Sequence, residues 1–136
     1  IEAAGLQRPR YNQIEASAAC AMDEELHSYH AAHGIHTLAY SPLGGSYTPK
    51  LREQLRTAGA VSSVAARLGR SPEQVLLRYV VQRYDAVVLP GASSVKHMVA
   101  NLDLFRFELS KEDVEAISTS TPRECAYPMY QPGQIP

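Results

Sequence analysis

Leu38-Ala39-Tyr40-Ser41-Pro42-Leu43-Gly44-Gly45-Ser46-Tyr47 decides how the rest of this sequence is read. The apolar run over residues 35–39 stops at a phenol and passes at once into a Ser-Pro and Gly-Gly turn. A strand with so few polar side chains belongs in a parallel sheet covered on both faces. Two glycines directly after it give a loop into which another group can come close to backbone.

Working outward, residues 11–15 predict a short strand entered through Pro9. Residues 22–33 carry Met22, Leu26, Tyr29 and Ala32 at helical spacing, with Gly34 as the stop. A polar loop is expected over 44–59, with a helical turn around 51–55, then a short helix over 61–68 closed by Gly69. Ser71-Pro72-Glu73-Gln74 is a strong helix start: Ser71 suits the N-cap, Pro72 the first helical position and Gln74 the reciprocal cap. Val75, Leu76, Tyr79 and Val80 give that helix its buried face. Residues 86–89 predict a third strand, closed by Pro90-Gly91. Helices follow over 94–104 and, capped by Ser110, over 111–118.

Apolar strands alternating with amphipathic helices imply right-handed βαβ units and an α/β fold on a parallel sheet. Only three strands are legible, and both edges of such a sheet need covering. In a barrel they would be closed by strands that these residues do not supply.

With 136 residues, 45% apolar and 20% charged, the chain has the composition of an ordinary globular domain. A formal charge of -1 gives no electrostatic reason for nucleic acid as partner, and no apolar run approaches a membrane span. Cys20 and Cys125 lack metal-ligand spacing; two free thiols in a reducing, intracellular compartment, cytoplasmic or organellar with mitochondria included, is the simplest reading. Residues 1–6 read as the tail of a helix closed by Gly5, so a processed product or a piece of a longer chain is expected.

Taken together, the segments resemble the carboxy-terminal half of an aldo-keto reductase. The resemblance rests on Asn12-Gln13-Ile14-Glu15, on His33-Gly34-Ile35 leading into Ala39-Tyr40-Ser41-Pro42-Leu43-Gly44, and on residues 71–79. It continues through Leu89-Pro90-Gly91-Ala92-Ser93-Ser94, Asn101-Leu102 and Phe107-Glu108-Leu109-Ser110, in the family's order. The family fold is a (β/α)₈ barrel of around 250 residues or more, with its site at the carboxy-terminal strand ends. The resemblance implies a partial barrel: strands six to eight with their helices over 1–120, then a Pro/Tyr-rich tail over 121–136.

The resemblance also implies an NADP(H) site. Tyr40 takes the place of the aromatic that lies against the nicotinamide ring, and Gln13 that of its carboxamide partner. Ser41 and Leu43, with Gly44 beside them, match pyrophosphate contacts; Ser94 and Asn101 match contacts near the adenosine phosphate and adenine. The arginine that grips the 2′-phosphate falls at His97, a weaker and largely neutral group, and its acidic neighbour falls at Ala100. Lys96 is a partial substitute, and Ser93 and Ser94 serve equally well as simple N-caps.

The family's acid–base Asp, Tyr, Lys and His lie on strands two to four, so no catalytic residue is assigned within this chain. The reading favoured by the sequence is a non-catalytic structural or accessory subunit, a pseudoenzyme within a larger complex. The alternative is the carboxy-terminal NADP(H)-binding part of a truncated or split aldehyde or ketone oxidoreductase. Both imply a protein partner covering the open barrel edges, and the tail over 127–132 is a candidate docking segment.

Other constellations carry less. His27, His30, His33 and His36 step by three and spiral around a helix instead of sharing a face, so no metal is expected and they read as solvated or helix-end groups. Asp23-Glu24-Glu25 suits a helix start. Arg67, Arg70, Arg78 and Arg83 read as solvated surface.

Overall fold

The computed structural model describes residues 4–128. The helix tail expected over 1–6 lies partly outside them, although Gly5 does take the left-handed conformation at φ +66°. The docking segment expected over 127–132 lies outside them beyond Pro128.

Three parallel strands form one sheet in the order β1-β2-β3: β1 Tyr11–Glu15, β2 His36–Tyr40 and β3 Val87–Leu89. Gln13 is level with Leu38, Glu15 with Tyr40, and Tyr40 in turn with Leu89. Alternation along the strands therefore sorts the side chains onto two faces. Asn12, Ile14, Thr37, Ala39 and Val88 face the helices, where Thr37 and Ala39 are buried and Ile14 and Val88 pack on the core. Tyr11, Gln13, Leu38, Tyr40, Val87 and Leu89 share the opposite face, on which Tyr11, Val87 and Leu89 are exposed. This α/β architecture, three parallel strands with flanking helices, is the expected partial barrel.

All the helices follow their sequence signals, with two adjustments. Helix α1, Glu24–His33, starts two residues later than expected because the Asp23 carboxylate accepts the Leu26 amide at 2.9 Å; Met22 is buried ahead of it. Residues read as a polar loop contain α2, Pro49–Thr57, which buries Leu51 and Leu55. Its signal is a proline at the first helical position with two leucines four apart. Helix α3 is Gly59–Leu68, closed by Gly69 in the left-handed region.

Helix α4, Pro72–Tyr84, is the centre of the helical layer, with Val75, Leu76, Leu77, Tyr79 and Val80 almost fully buried. The Ser71–Gln74 capping box forms in both directions. Burying each such aliphatic side chain contributes about 1.5–3 kcal/mol. Helix α5, Val95–Leu102, passes through a 3₁₀ turn, Asp103–Arg106, to α6, Lys111–Ser120, whose Ser110–Asp113 pair forms a second capping box.

Of the arginines read as solvated surface, Arg67 is exposed as expected, whereas Arg78 is buried and Arg70 half-buried, each tied to a neighbouring segment. Arg78 is 8% exposed; it donates to Gln82 at 2.8 Å and lies over the Phe105 ring. Arg70 pairs with Asp103 and stacks on Phe107, while Arg67 binds Asp113 at 2.6 Å. Arg70 and Arg78 lie against the Phe107 and Phe105 rings while their heads find Asp103 and Glu108.

The two expected free thiols form a disulfide. Cys20 and Cys125, 105 residues apart, come to a Cα separation of 4.6 Å and are joined. Their distance in sequence hid the pairing: the chain leaving α6 runs back across the β1–α1 connection and brings Cys125 to Cys20.

Candidate functional site

The carboxy-terminal ends of the strands carry the loops that form the candidate site. After Tyr40 the chain turns through Ser41 at φ +52°, then Gly44 at +88° and Gly45 at +63°. Ser41, like Asp85 at the end of α4, holds a side chain in the left-handed region, a conformation found where the fold imposes it. The Gly44 amide donates to the Ser41 carbonyl at 2.9 Å, and the Thr48 hydroxyl closes on the Gly44 carbonyl. A Cβ on Gly44 would lie 3.0 Å from Leu55, so α2 packs directly beneath the turn.

Opposite this turn lies the loop after β3. Between them is a cleft of about 450 Å³, bounded by residues 41–46 on one side and 89–93 on the other. Ser41 and Leu43 line it together with Gly45, and Arg52 of α2 reaches its wall. Arg52 lies within the helical turn expected around 51–55, but nothing in the local sequence marks it as facing the loop after β3.

The other expected site residues distribute around this cleft. Gln13 is exposed on the open face, level with Leu38, and Tyr40 ends β2 beside it. Gly44 is buried in the turn. Ser94 caps α5, its hydroxyl accepting the His97 amide at 3.2 Å, and the His97 side chain is exposed. Asn101 lines a second, apolar cavity of about 680 Å³ flanked by Val87, Met98 and Phe105. The structure thus brings Ser41 and Leu43 to one cleft and leaves Asn101 at the β3 edge.

Glu15 was not singled out by the sequence as a site residue. By parity it belongs to the open face, yet it is 3% exposed. Its carboxylate accepts the Ala126 amide at 2.6 Å and the Tyr127 amide at 2.9 Å. The returning segment is held further by Thr121, whose hydroxyl donates to the Ala18 carbonyl at 2.8 Å, and by the Glu124 amide on the Ala19 carbonyl. It lays the Tyr127 ring 6.0 Å from Tyr40, inclined at 55°.

The four histidines make separate contacts. His30 is buried, in place of the solvated position expected; its Nδ1 lies 2.9 Å from the Thr37 hydroxyl and its Nε2 3.0 Å from the Asn12 amide nitrogen. Burial, reinforced by the nearby His27, lowers its pKa below 6.5. With the Asn12 amide donating to Nε2, Nδ1 carries the proton toward Thr37, whose hydroxyl turns to the Met22 sulfur. His33 stacks on Tyr29 with ring centroids 4.0 Å apart, and His36 tilts toward Tyr11. Among the described residues, Glu15, Cys20 and Cys125 have potential ligand atoms within 4.8 Å of one another, but the disulfide already engages both sulfurs. No described helix is long and apolar enough to cross a membrane.

Comparison with known proteins places this geometry. The profile of the Aldo/keto reductase family matches residues 2–121. An aldo-keto reductase of Mycobacterium ulcerans (strain Agy99) is 37% identical over 110 residues, covering 81% of this chain and 36% of that protein. A D-galacturonate reductase of Fragaria ananassa is 32% identical over 81% of this chain and 34% of its own length. Among solved structures, the aldose reductase from Schistosoma japonicum superposes with a TM-score of 0.70 at 32% identity, covering 84% of this chain and 34% of that one. A mutant of Gox0644 in complex with NADPH gives 0.72 at 27% identity, covering 90% and 41%. The chain therefore spans little more than a third of the length of these curated relatives.

Proposed function

This chain belongs to the aldo/keto reductase family, and from that premise we propose that it forms the cofactor-side wall of an NADP(H)-dependent carbonyl reductase. Its three strands correspond to strands six to eight of the barrel, and its exposed Val87 and Leu89 meet the remaining strands. The observation that carries this reading is the arrangement at one end of the sheet. Gln13 and Tyr40 stand on the open face, and the cleft between the β2 and β3 loops opens beside them.

The residues present fit a dinucleotide. Ser41, Leu43 and Gly45 line the cleft beside the turn, where Ser41 offers a hydroxyl and Arg52 supplies a cation for phosphate. Gln13 presents an amide for the carboxamide, and the Tyr40 ring a flat apolar face for the nicotinamide. Ser94, Lys96 and His97 surround the start of α5, where an adenosine phosphate would sit; His97 in place of an arginine makes that grip weak.

When bound, the cofactor supplies hydride to an aldehyde or ketone. This chain's share is to hold and orient it: Tyr40 restricts the ring plane, and Gln13 sets which ring face turns toward the open side. Proton donation needs an acid within hydrogen-bond reach of the carbonyl oxygen. On this reading that acid comes from the part of the barrel beyond these residues.

The test combines the chain with the amino-terminal portion of the Mycobacterium ulcerans relative and titrates NADPH by fluorescence. Saturable quenching, weakened by Tyr40→Ala, with reduction of an aromatic aldehyde, is the expected result. Binding without turnover would instead favour a non-catalytic accessory subunit. Absence of NADPH binding would remove the cofactor role altogether.

A further inference from the structure

The open face of the sheet is covered at one place by the chain's own carboxy-terminal segment. That segment crosses Gly45, where an added Cβ would fall 2.6 Å from the Ala126 Cβ and 3.2 Å from the Tyr127 ring. It brings Tyr127 against Tyr40, the ring to which the proposed function assigns the nicotinamide. One covalent bond, Cys20–Cys125, fastens it immediately before Ala126.

We propose that the Cys20–Cys125 disulfide is a redox latch that holds Tyr127 over Tyr40, so that reduction uncovers the ring. The inference rests on the cofactor reading of Tyr40 for its consequence, and on the geometry of residues 121–127 for the latch itself.

The two sulfurs differ in access: Cys20 is 1% exposed, whereas Cys125 is only half-buried. A thiolate of an external dithiol therefore attacks the Cys125 sulfur. The Cys20–Cys125 bond breaks, Cys20 leaves as thiolate and takes up a proton, and a mixed disulfide remains on Cys125. The second thiol of the reductant then attacks its partner sulfur, Cys125 leaves and is protonated, and the dithiol is oxidised to a disulfide. Two electrons and two protons reach the protein. Beyond Glu124, the segment is then held by the Ala126 and Tyr127 amides donating to Glu15, and these bonds exchange readily with water once the adjacent residues move.

The test compares the 136-residue chain in its oxidised form, after dithiothreitol, and as Cys125→Ser. Hydrogen exchange at the Ala126 and Tyr127 amides is expected to accelerate about tenfold or more on reduction, while α4 amides stay protected. NADPH is expected to bind the reduced chain and Cys125→Ser about three- to tenfold more tightly than the oxidised chain. Unchanged exchange at Ala126 and Tyr127 would overturn the latch. General loss of protection, α4 included, would also overturn it and leave the disulfide a structural staple. Equal, measurable NADPH affinity in both states would overturn the covering of Tyr40. Faster exchange with no NADPH binding in either state would uphold the latch and defeat the cofactor reading.

Discussion

Glu15 and Tyr40 stand level with one another at the ends of neighbouring strands, and both are engaged by one segment, Glu15 through its carboxylate and Tyr40 through the Tyr127 ring. A buried carboxylate facing two amides is satisfied only while both oxygens accept. Glu15→Gln keeps the shape but turns an NH₂ group toward one of those amides. The expected outcome is a loss of about 1–3 kcal/mol in urea unfolding. Exchange should be accelerated at Ala126 and Tyr127 ahead of the helices.

Tyr40 separates ring stacking from hydroxyl chemistry. On the proposed reading Tyr40→Phe retains the flat face and leaves NADPH affinity within about twofold, whereas Tyr40→Ala weakens it about three- to tenfold, the worth of one aromatic stack. Equal affinity in all three proteins, measured by fluorescence titration, would take the role away from this ring.

His30 makes stability depend on pH. Its pKa is lowered in the folded chain by burial and by His27, so the unfolded chain binds a proton more readily. Below the ordinary value of 6.5 the unfolded state then carries more protons, and stability falls as pH falls through that value. Protonation would also place an N–H at Nε2 against the Asn12 amide. The midpoint of urea unfolding should drop between about pH 7.5 and pH 5.5 in the native chain. His30→Gln should flatten that dependence while lowering stability at the upper pH.

Much of this arrangement was legible in the sequence wherever signals were local. Ser71 and Gln74 announced their capping box, Gly34 and Gly69 their helix ends, and residues 35–40 a strand, because each depends on a few neighbouring residues; that the strand is buried on one face only was not legible. Helix α2 was legible only as a turn around 51–55, because its polar composition hides how far it extends and its two buried leucines find their partners in the distant core and under the Gly44 turn. Glu15 and Cys125 escaped for a different reason. Their partners lie more than a hundred residues away, and no periodicity within β1 or the tail encodes that meeting. Arg78 read as surface since its charge is visible in sequence and the rings and carbonyls around it are not.

Gly45 offers a test of how closely the segment lies on the turn. Gly45 and Gly69 have nearly the same φ, +63° and +62°, but of the two only Gly45 has atoms within reach of an added Cβ. Both alanine substitutions carry the left-handed penalty of about 1 kcal/mol. Gly45→Ala must in addition push Ala126 aside, so it should lower stability by about 1–3 kcal/mol more than Gly69→Ala. It should also loosen the Tyr127 amide. Thermal unfolding of the pair checks the difference, and matching melting temperatures would mean that the segment does not press on Gly45.

Val87 tests what the open face is for. It is 52% exposed on the edge strand β3, level with Leu38 and beside Leu89, which is 41% exposed. An exposed position tolerates a charge, so Val87→Asp should change the stability of this chain by no more than about 0.5 kcal/mol. A sheet face awaiting other strands behaves differently once covered, because a carboxylate sealed there without a partner must be desolvated, at a cost of several kcal/mol. Mixed with the amino-terminal portion of a relative, the native chain should form a complex in analytical ultracentrifugation, and Val87→Asp should weaken it at least about tenfold. Lys96→Asp, which places the same charge on exposed α5, should leave that association unchanged and weaken only NADPH binding. If both substitutions impaired assembly equally, the effect would be one of net charge, and β3 would lose its claim as the joining edge.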